Sequence, residues 1–176
     1  NIKPLKNLTR LQELYLSSYN GDNIKPLENM TQLRLLNLDA FKGDLTPLEN
    51  LTQLQSLELI LFKGDLTPLE NLTQLQSLVL SSYNGDNIKP LKNLTQLQEL
   101  YLSNYNGDLT PLENLTQLRT LYLLNYNGDN IKPLSNLTQL RTLYLFRYNG
   151  DLTPLENMIQ LRTLRLPGFT GNYDQL

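Results

Sequence analysis

Residues 1–22 read NIKPLKNLTRLQELYLSSYNGD, and residues 45–65 read LTPLENLTQLQSLELILFKGD. Leu11, Leu14 and Leu16 end in strict alternation, which is strand spacing. Leu5, Leu8 and Leu11 recur at every third residue, which suits a 3₁₀ or helical turn with one face inward. The fixed φ of Pro4 suits the first position of that turn. In the second stretch Thr46 stands just before the proline, as do Thr67, Thr110 and Thr153 in later copies; a hydroxyl there is placed to cap free N–H groups. Asn20-Gly21 signals a tight turn, because glycine takes positive φ without steric cost. Each stretch therefore predicts a strand, a turn and a short helical return.

The pattern runs through the whole chain. Pro4, Pro26, Pro47, Pro68, Pro90, Pro111, Pro133 and Pro154 are separated by 22, 21, 21, 22, 21, 22 and 21 residues, and the glycines from Gly21 to Gly171 keep step. Residues 1–176 thus form a single domain of eight repeats, four carrying Ile-Lys-Pro and four Leu-Thr-Pro. A unit this small cannot bury its leucines alone. Stacked, with successive strands parallel, the units share one continuous core.

Composition narrows the function. Of 176 residues, 46 are Leu and 21 are Asn; the net charge is −2 from 15 basic and 17 acidic side chains, and Cys, His and Trp are absent. Without cysteine there is no disulfide framework or thiolate metal site. Without histidine the Ser-His-Asp triad, the usual zinc sites and the commonest general base are missing. Near-neutral charge without a Lys/Arg cluster argues against nucleic acid, and no apolar run approaches the ~18 residues of a membrane span. The acidic residues fall mostly at repeat-equivalent positions, with no unique polar cluster, so catalysis is not expected.

The segment Asp-x-x-Pro-Leu-x-Asn-Leu-Thr-Gln-Leu-x-x-Leu-x-Leu, present across the chain, resembles the leucine-rich repeat family in its 21–22-residue bacterial, internalin-like or SDS22-like type. The resemblance implies an α/β solenoid, a right-handed superhelix with a parallel sheet on its concave face and short 3₁₀ or helical turns on the convex face. It also implies binding of other proteins through the concave face, no cofactor, and an extracellular or cell-surface setting. One departure is systematic. Where the family has Asn three residues after the last strand leucine, this chain has Tyr19, Phe41, Phe62, Tyr83, Tyr105, Tyr126, Tyr148 and Phe169, and the family's apolar residue two places later is here glycine. We read these as one compensating change: a ring enters, and glycine yields the volume. Because Phe serves in three copies, the rings are expected to pack rather than to use their hydroxyls. Backbone groups left by the lost amides then need partners, with Asn20 and its counterparts or the following Asp as candidates.

Strand residues between the leucines are expected to face outward. The middle column reads Tyr15, Asn37, Glu58, Val79, Tyr101, Tyr122, Tyr144, Arg165; beside it run one column from Ser17 through Leu124 and Phe146 to Pro167 and another from Ser18 through Asn104, Asn125 and Arg147 to Gly168, mixing charged, aromatic and aliphatic side chains. Tyr101, Tyr122 and Tyr144 should form an aromatic strip flanked by Leu124, Phe146, Arg147 and Arg165, the residue types that dominate interface energetics. Glu58 and Ile60, with Leu61, mark a weaker patch. These nine, Leu61 aside, are the candidate partner-binding residues. The alternative for the strip is cross-strand packing alone.

Other ladders read as turn chemistry. Asp22, Asp44, Asp65, Asp86, Asp108, Asp129 and Asp151 supply one carboxylate per turn, too few for calcium, and no metal site is expected. Asn7, Asn29, Asn50, Asn71, Asn93, Asn114 and Asn136 open Asn-x-Thr sequons, but the repeat itself generates the triplet, and they read as structural turn residues. The column from Gln12 to Arg162 turns basic toward its end.

The chain opens on Asn without a signal peptide or polar cap, and reads as processed or cut from something longer. Met158-Ile159 and Pro167-Gly168 break the last repeat, and the tail Asn172 to Leu176 is too short to cover much. Uncapped ends make end-to-end homo-assembly into filaments a second expectation. A polysaccharide platform, with sugars on the tyrosine rings, is a third.

Overall fold

The computed structural model describes residues 1–171 apart from Asn84, Asp86, Asn127 and Asp129. The tail and two of the ladder aspartates therefore lie outside the described residues. Eight parallel strands follow one another in sequence order in a single open sheet: β1 (Glu13–Tyr15), β2 (Leu35–Asn37), β3 (Ser56–Glu58), β4 (Ser77–Leu80), β5 (Glu99–Ser103), β6 (Thr120–Leu124), β7 (Thr142–Phe146) and β8 (Thr163–Arg165). Between them lie 3₁₀ segments at Lys3–Asn7, Lys25–Leu27, Thr46–Leu48, Thr67–Leu69, Lys89–Asn93, Thr110–Leu112, Lys132–Asn136 and Thr153–Leu155. These are the stacked parallel strands and short returns that the spacing predicts, in the solenoid that the leucine-rich-repeat resemblance implies.

The third-residue leucines have a backbone cause. Leu48 N–H donates to Leu45, Leu51 to Leu48 and Leu54 to Leu51, each a three-residue step of 2.8–2.9 Å. Such a run places one side chain per step on the same face, and leucine fills it. The strand then begins at a shared acceptor: the Gln55 carbonyl takes N–H bonds from Gln76 and Ser77 of the next rung, at 2.8 and 3.0 Å. The register aligns Leu57, Leu78, Leu100, Leu121 and Leu143 in a fully buried column. Among the described residues no polar or charged side chain is buried.

After each strand the chain passes through the left-handed region. Ser18, Ala40, Leu61, Ser82, Asn104, Asn125 and Arg147 have φ of 56–62°, and Gly168 has φ 79°. The N–H of such a residue still pairs with the next rung, as in Leu61 to Ser81 O at 2.8 Å. The turn sends the following residue inward, and that residue is the aromatic one. Phe41, Phe62, Tyr83, Tyr105, Tyr126 and Tyr148 are buried, with ring centroids 6.2–6.5 Å apart in the stacked pairs Phe41–Phe62, Tyr83–Tyr105 and Tyr126–Tyr148. Glycine is required two residues on. A Cβ on Gly64 would sit 2.6 Å from the Phe62 ring, and one on Gly107 2.4 Å from the Tyr105 hydroxyl oxygen. The ring-for-amide exchange read from the sequence is therefore present as an aromatic spine.

Three local expectations, on the proline, the threonine and the tyrosine hydroxyls, are corrected. The proline is the second residue of each 3₁₀ segment, and the threonine before it is the first. The threonine hydroxyl does not cap the segment; it donates to the aspartate two residues earlier. Asp44 Oδ1 accepts from both the N–H and the hydroxyl of Thr46, at 2.8 and 2.7 Å, and Asp65, Asp108 and Asp151 do the same. In the Ile-Lys-Pro repeats Asn23, Asn87 and Asn130 take that place, accepting the lysine N–H. These bonds hold Asp44, Asp108 and Asp151 below the usual carboxylate range, in Asp44 chiefly through the Thr46 N–H and in the other two chiefly through the threonine hydroxyl. The tyrosine hydroxyls are also engaged: Tyr19 donates to the Asn23 carbonyl at 2.9 Å and Tyr105 to that of Asp108 at 3.0 Å. By contrast, the sequon asparagines are exposed and make no side-chain hydrogen bond among the described residues, so they do not hold the turns through their amides.

Candidate functional site

The strip forms on the outer face of β5, β6 and β7. Leucines flank each tyrosine along the strand and point inward, which leaves the tyrosine on the other face. The register pairs Tyr101 with Tyr122 and Tyr122 with Tyr144, and then Tyr144 with Arg165. Parallel strands lie about 4.8 Å apart, close to the centroid spacing of packed aromatic rings, so the three stack face to face. Their centroids are 4.2 and 4.4 Å apart, with interplanar angles of 9° and 19°. Each ring is half-buried. Desolvation by its neighbours is the first cause that pushes the Tyr122 hydroxyl up to about 12; the hydroxyls of Tyr101 and Tyr144 add to it.

Ser103, Leu124 and Phe146 align in the next outward column. The Arg147 guanidinium lies over the Phe146 ring at 5.1 Å from its centroid, a cation–π contact that holds the charge beside the strip. Along the rim the Asn125 amide donates to Asn104 at 2.9 Å, while the buried Asn125 Oδ1 has no hydrogen-bond partner among the described residues. Tyr101, Tyr122, Leu124, Tyr144, Phe146, Arg147 and Arg165 are thus brought together on rungs five to eight.

Glu58 and Ile60 are not part of that cluster. They sit on the third rung, with Val79 between Glu58 and Tyr101 in the same column. Glu58 accepts from the Asn37 amide, which ties it to the rung before. Leu61 is 48% exposed and left-handed, next to Ile60. The sequence reading treated the column from Ser18 to Gly168 as an open choice of side chain and missed its positive φ. Gly168, Asn104 and Asn125 at equivalent positions were the available signal, since Gly and Asn are the residues that tolerate this region.

No family model and no curated protein matches the sequence. Solved structures do. Internalin C2 of Listeria monocytogenes superposes with a TM-score of 0.82 at 31% identity, over 92% of this chain and 74% of its own. An internalin, InlF, of the same organism gives 0.76 at 31% identity, over 94% of this chain and 57% of its own. A leucine-rich-repeat protein of Leptospira interrogans gives 0.86 at 22% identity, over 98% of this chain and 47% of its own, and shares the fold. The chain belongs to the leucine-rich-repeat family in its bacterial, internalin-like form. It spans a little over half the length of InlF and under half that of the Leptospira protein.

Proposed function

We propose that this chain is a recognition scaffold that binds a partner protein through the concave sheet face, at the strip formed by Tyr101, Tyr122 and Tyr144 with Leu124, Phe146, Arg147 and Arg165. Glu58 and Ile60 provide a second, separate contact. The tyrosine ladder carries this reading. Three half-buried rings stacked at 4.2 and 4.4 Å form an apolar surface already ordered before a partner arrives. Preorganised aromatic contacts give up little side-chain entropy on binding, and Arg at the edge supplies charge to a neighbour. Stacking also occupies both faces of Tyr122, so ring edges and hydroxyls point outward. That arrangement favours a protein surface over a sugar, which lies flat on an open ring face.

The test is retention of a partner by the immobilised chain. A Tyr122→Ala/Tyr144→Ala double variant should keep its circular dichroism and lose the partner, whereas Gln55→Ala should retain it. Unchanged retention by the double variant removes the strip from the reading. End-to-end joining of copies is a second reading. Leu8 is 47% exposed in the first rung, while its counterparts Met30 and Leu51 are fully buried, and any further rung stacked there, of this or another chain, would cover it. Sedimentation that grows without limit with concentration supports joining; a constant monomer opposes it.

A further inference from the structure

The tetrapeptide Tyr-Asn-Gly-Asp occurs at residues 19–22, 83–86, 105–108, 126–129 and 148–151. Asn followed by Gly is the pairing most open to intramolecular attack, because glycine has no side chain to block its own amide nitrogen. The Gly N attacks the Asn side-chain carbonyl carbon, the C–N bond of the amide breaks, and ammonia leaves. Water then opens the succinimide ring at either carbonyl to give aspartate or isoaspartate. The net change is hydrolysis of one amide, with no oxidant or cofactor.

Identical local sequence makes the fold the only variable among these sites. At Asn149 the side chain is latched to the next rung: its Oδ1 accepts from the Thr170 N–H at 2.8 Å and from the Thr170 hydroxyl at 3.1 Å. Two bonds to the oxygen restrain the amide against the rotation that attack by the Gly150 nitrogen requires. Asn106 is engaged as well. Asn20 is different. Lys42 holds the equivalent position in the next rung, and Asn20 itself is exposed, with no side-chain hydrogen bond among the described residues. The Gly21 N–H likewise donates to no described residue, so neither reacting group is restrained.

We propose that Asn20 is a site of fold-gated deamidation, a copy of the shared tetrapeptide that, among the described asparagines, the rung-to-rung latch leaves unprotected. Conversion has a structural consequence. Gly21 lies so close to Tyr19 that a Cβ there would meet its hydroxyl oxygen at 2.3 Å, and isoaspartate lengthens the backbone by one carbon at that contact. The first ring of the spine then loses its seat, and the turn gains a negative charge beside Asp22.

The experiment is peptide mapping of the intact 176-residue chain during incubation at mildly alkaline pH, reading the amide-to-acid mass gain and the isoaspartate content at each site. In the folded chain Asn20 should convert several times faster than Asn149. In concentrated urea the two should convert at the same rate, since their neighbours are the same. Thr170→Val removes one latch bond and should speed conversion at Asn149 while leaving Asn20 unchanged. Equal rates at Asn20 and Asn149 in the folded chain, or a faster Asn149, overturn the proposal. So does a Thr170→Val chain that stays folded without accelerating Asn149.

Discussion

The first three rungs and rungs five to seven are built from one repeat, yet their sheet faces differ. β1, β2 and β3 span three residues each; β5, β6 and β7 span five, and their register extends to Ser103, Leu124 and Phe146. The inward leucines are the same in both regions, so the core does not explain the difference. The outward residues do. Tyr15, Asn37 and Glu58 offer no run of mutually packing side chains, whereas Tyr101, Tyr122 and Tyr144 stack in register. Cross-strand pairs of this kind stabilise a sheet by up to about 1 kcal/mol each, and aromatic side chains favour the extended backbone. Identical cores thus support a short polar face and a longer aromatic one, and the outward columns decide which.

The largest test of this contrast is in the core. Leu121→Ala empties a fully buried position between two neighbouring rungs and should cost ~3–5 kcal/mol in urea unfolding. Leu14→Ala, at the partly buried equivalent in the first rung, should cost about half as much. Equal losses would mean that the partial burial of the first rung does not lower the cost of emptying its core position.

The aromatic spine gives a smaller effect. Gly107→Ala drives a methyl into the Tyr105 ring and should cost ~1–3 kcal/mol. Gly21→Ala should cost less, because the Tyr19 ring is only half-buried and has room to move outward. Thermal midpoints of the two variants compare them directly.

A third pair exchanges residues in the left-handed column. Leu61→Asn replaces a branched residue at φ 60° with one that tolerates that region, and should raise stability by about 1 kcal/mol. Asn104→Leu, at φ 62° on the fifth rung, should lower it by a similar amount. A partner assay on Leu61→Asn adds a second readout: firmer folding with weaker binding would mark Leu61 as a contact held at a cost in stability.

The pH responses are the smallest. The folded Tyr122 pKa, about 12, lies above the ordinary 10.0, so its contribution to stability is complete below about pH 10 and is lost as pH rises toward 12. Tyr122→Phe should flatten that alkaline loss. The aspartates run the other way. With folded values below 3.8, Asp44, Asp108 and Asp151 contribute above the ordinary carboxylate range, and the contribution fades as pH falls through their lower folded values. Asp44→Asn should make acid unfolding slightly less steep.

Much of this was legible in the residues themselves. Leucines at three-residue and two-residue spacing announced both halves of each rung, and the coupled aromatic and glycine substitutions announced the spine. The strip could be placed because alternation leaves little choice about which side chains face outward. The capping was misassigned because Thr46 and Asp44 are both plausible caps by type, and only the path of the chain shows which oxygen meets which N–H. The left-handed column was hidden because Ser, Ala, Leu and Arg do not advertise positive φ.

Period and inward pattern, then, belong to the sequence alone: a repeat too short to bury its own leucines has to stack, and the strict phase of those leucines sets how. What the tertiary structure decided are the relations between rungs. The face-to-face stacking of Tyr122, the bond that ties Glu58 to Asn37, and the difference between Asn20 and Asn149 all depend on which residue stands one turn along. Their physical reason is shared: a side chain on a solenoid is surrounded by residues some 21 or 22 positions distant, and local spacing carries no information about how those neighbours meet.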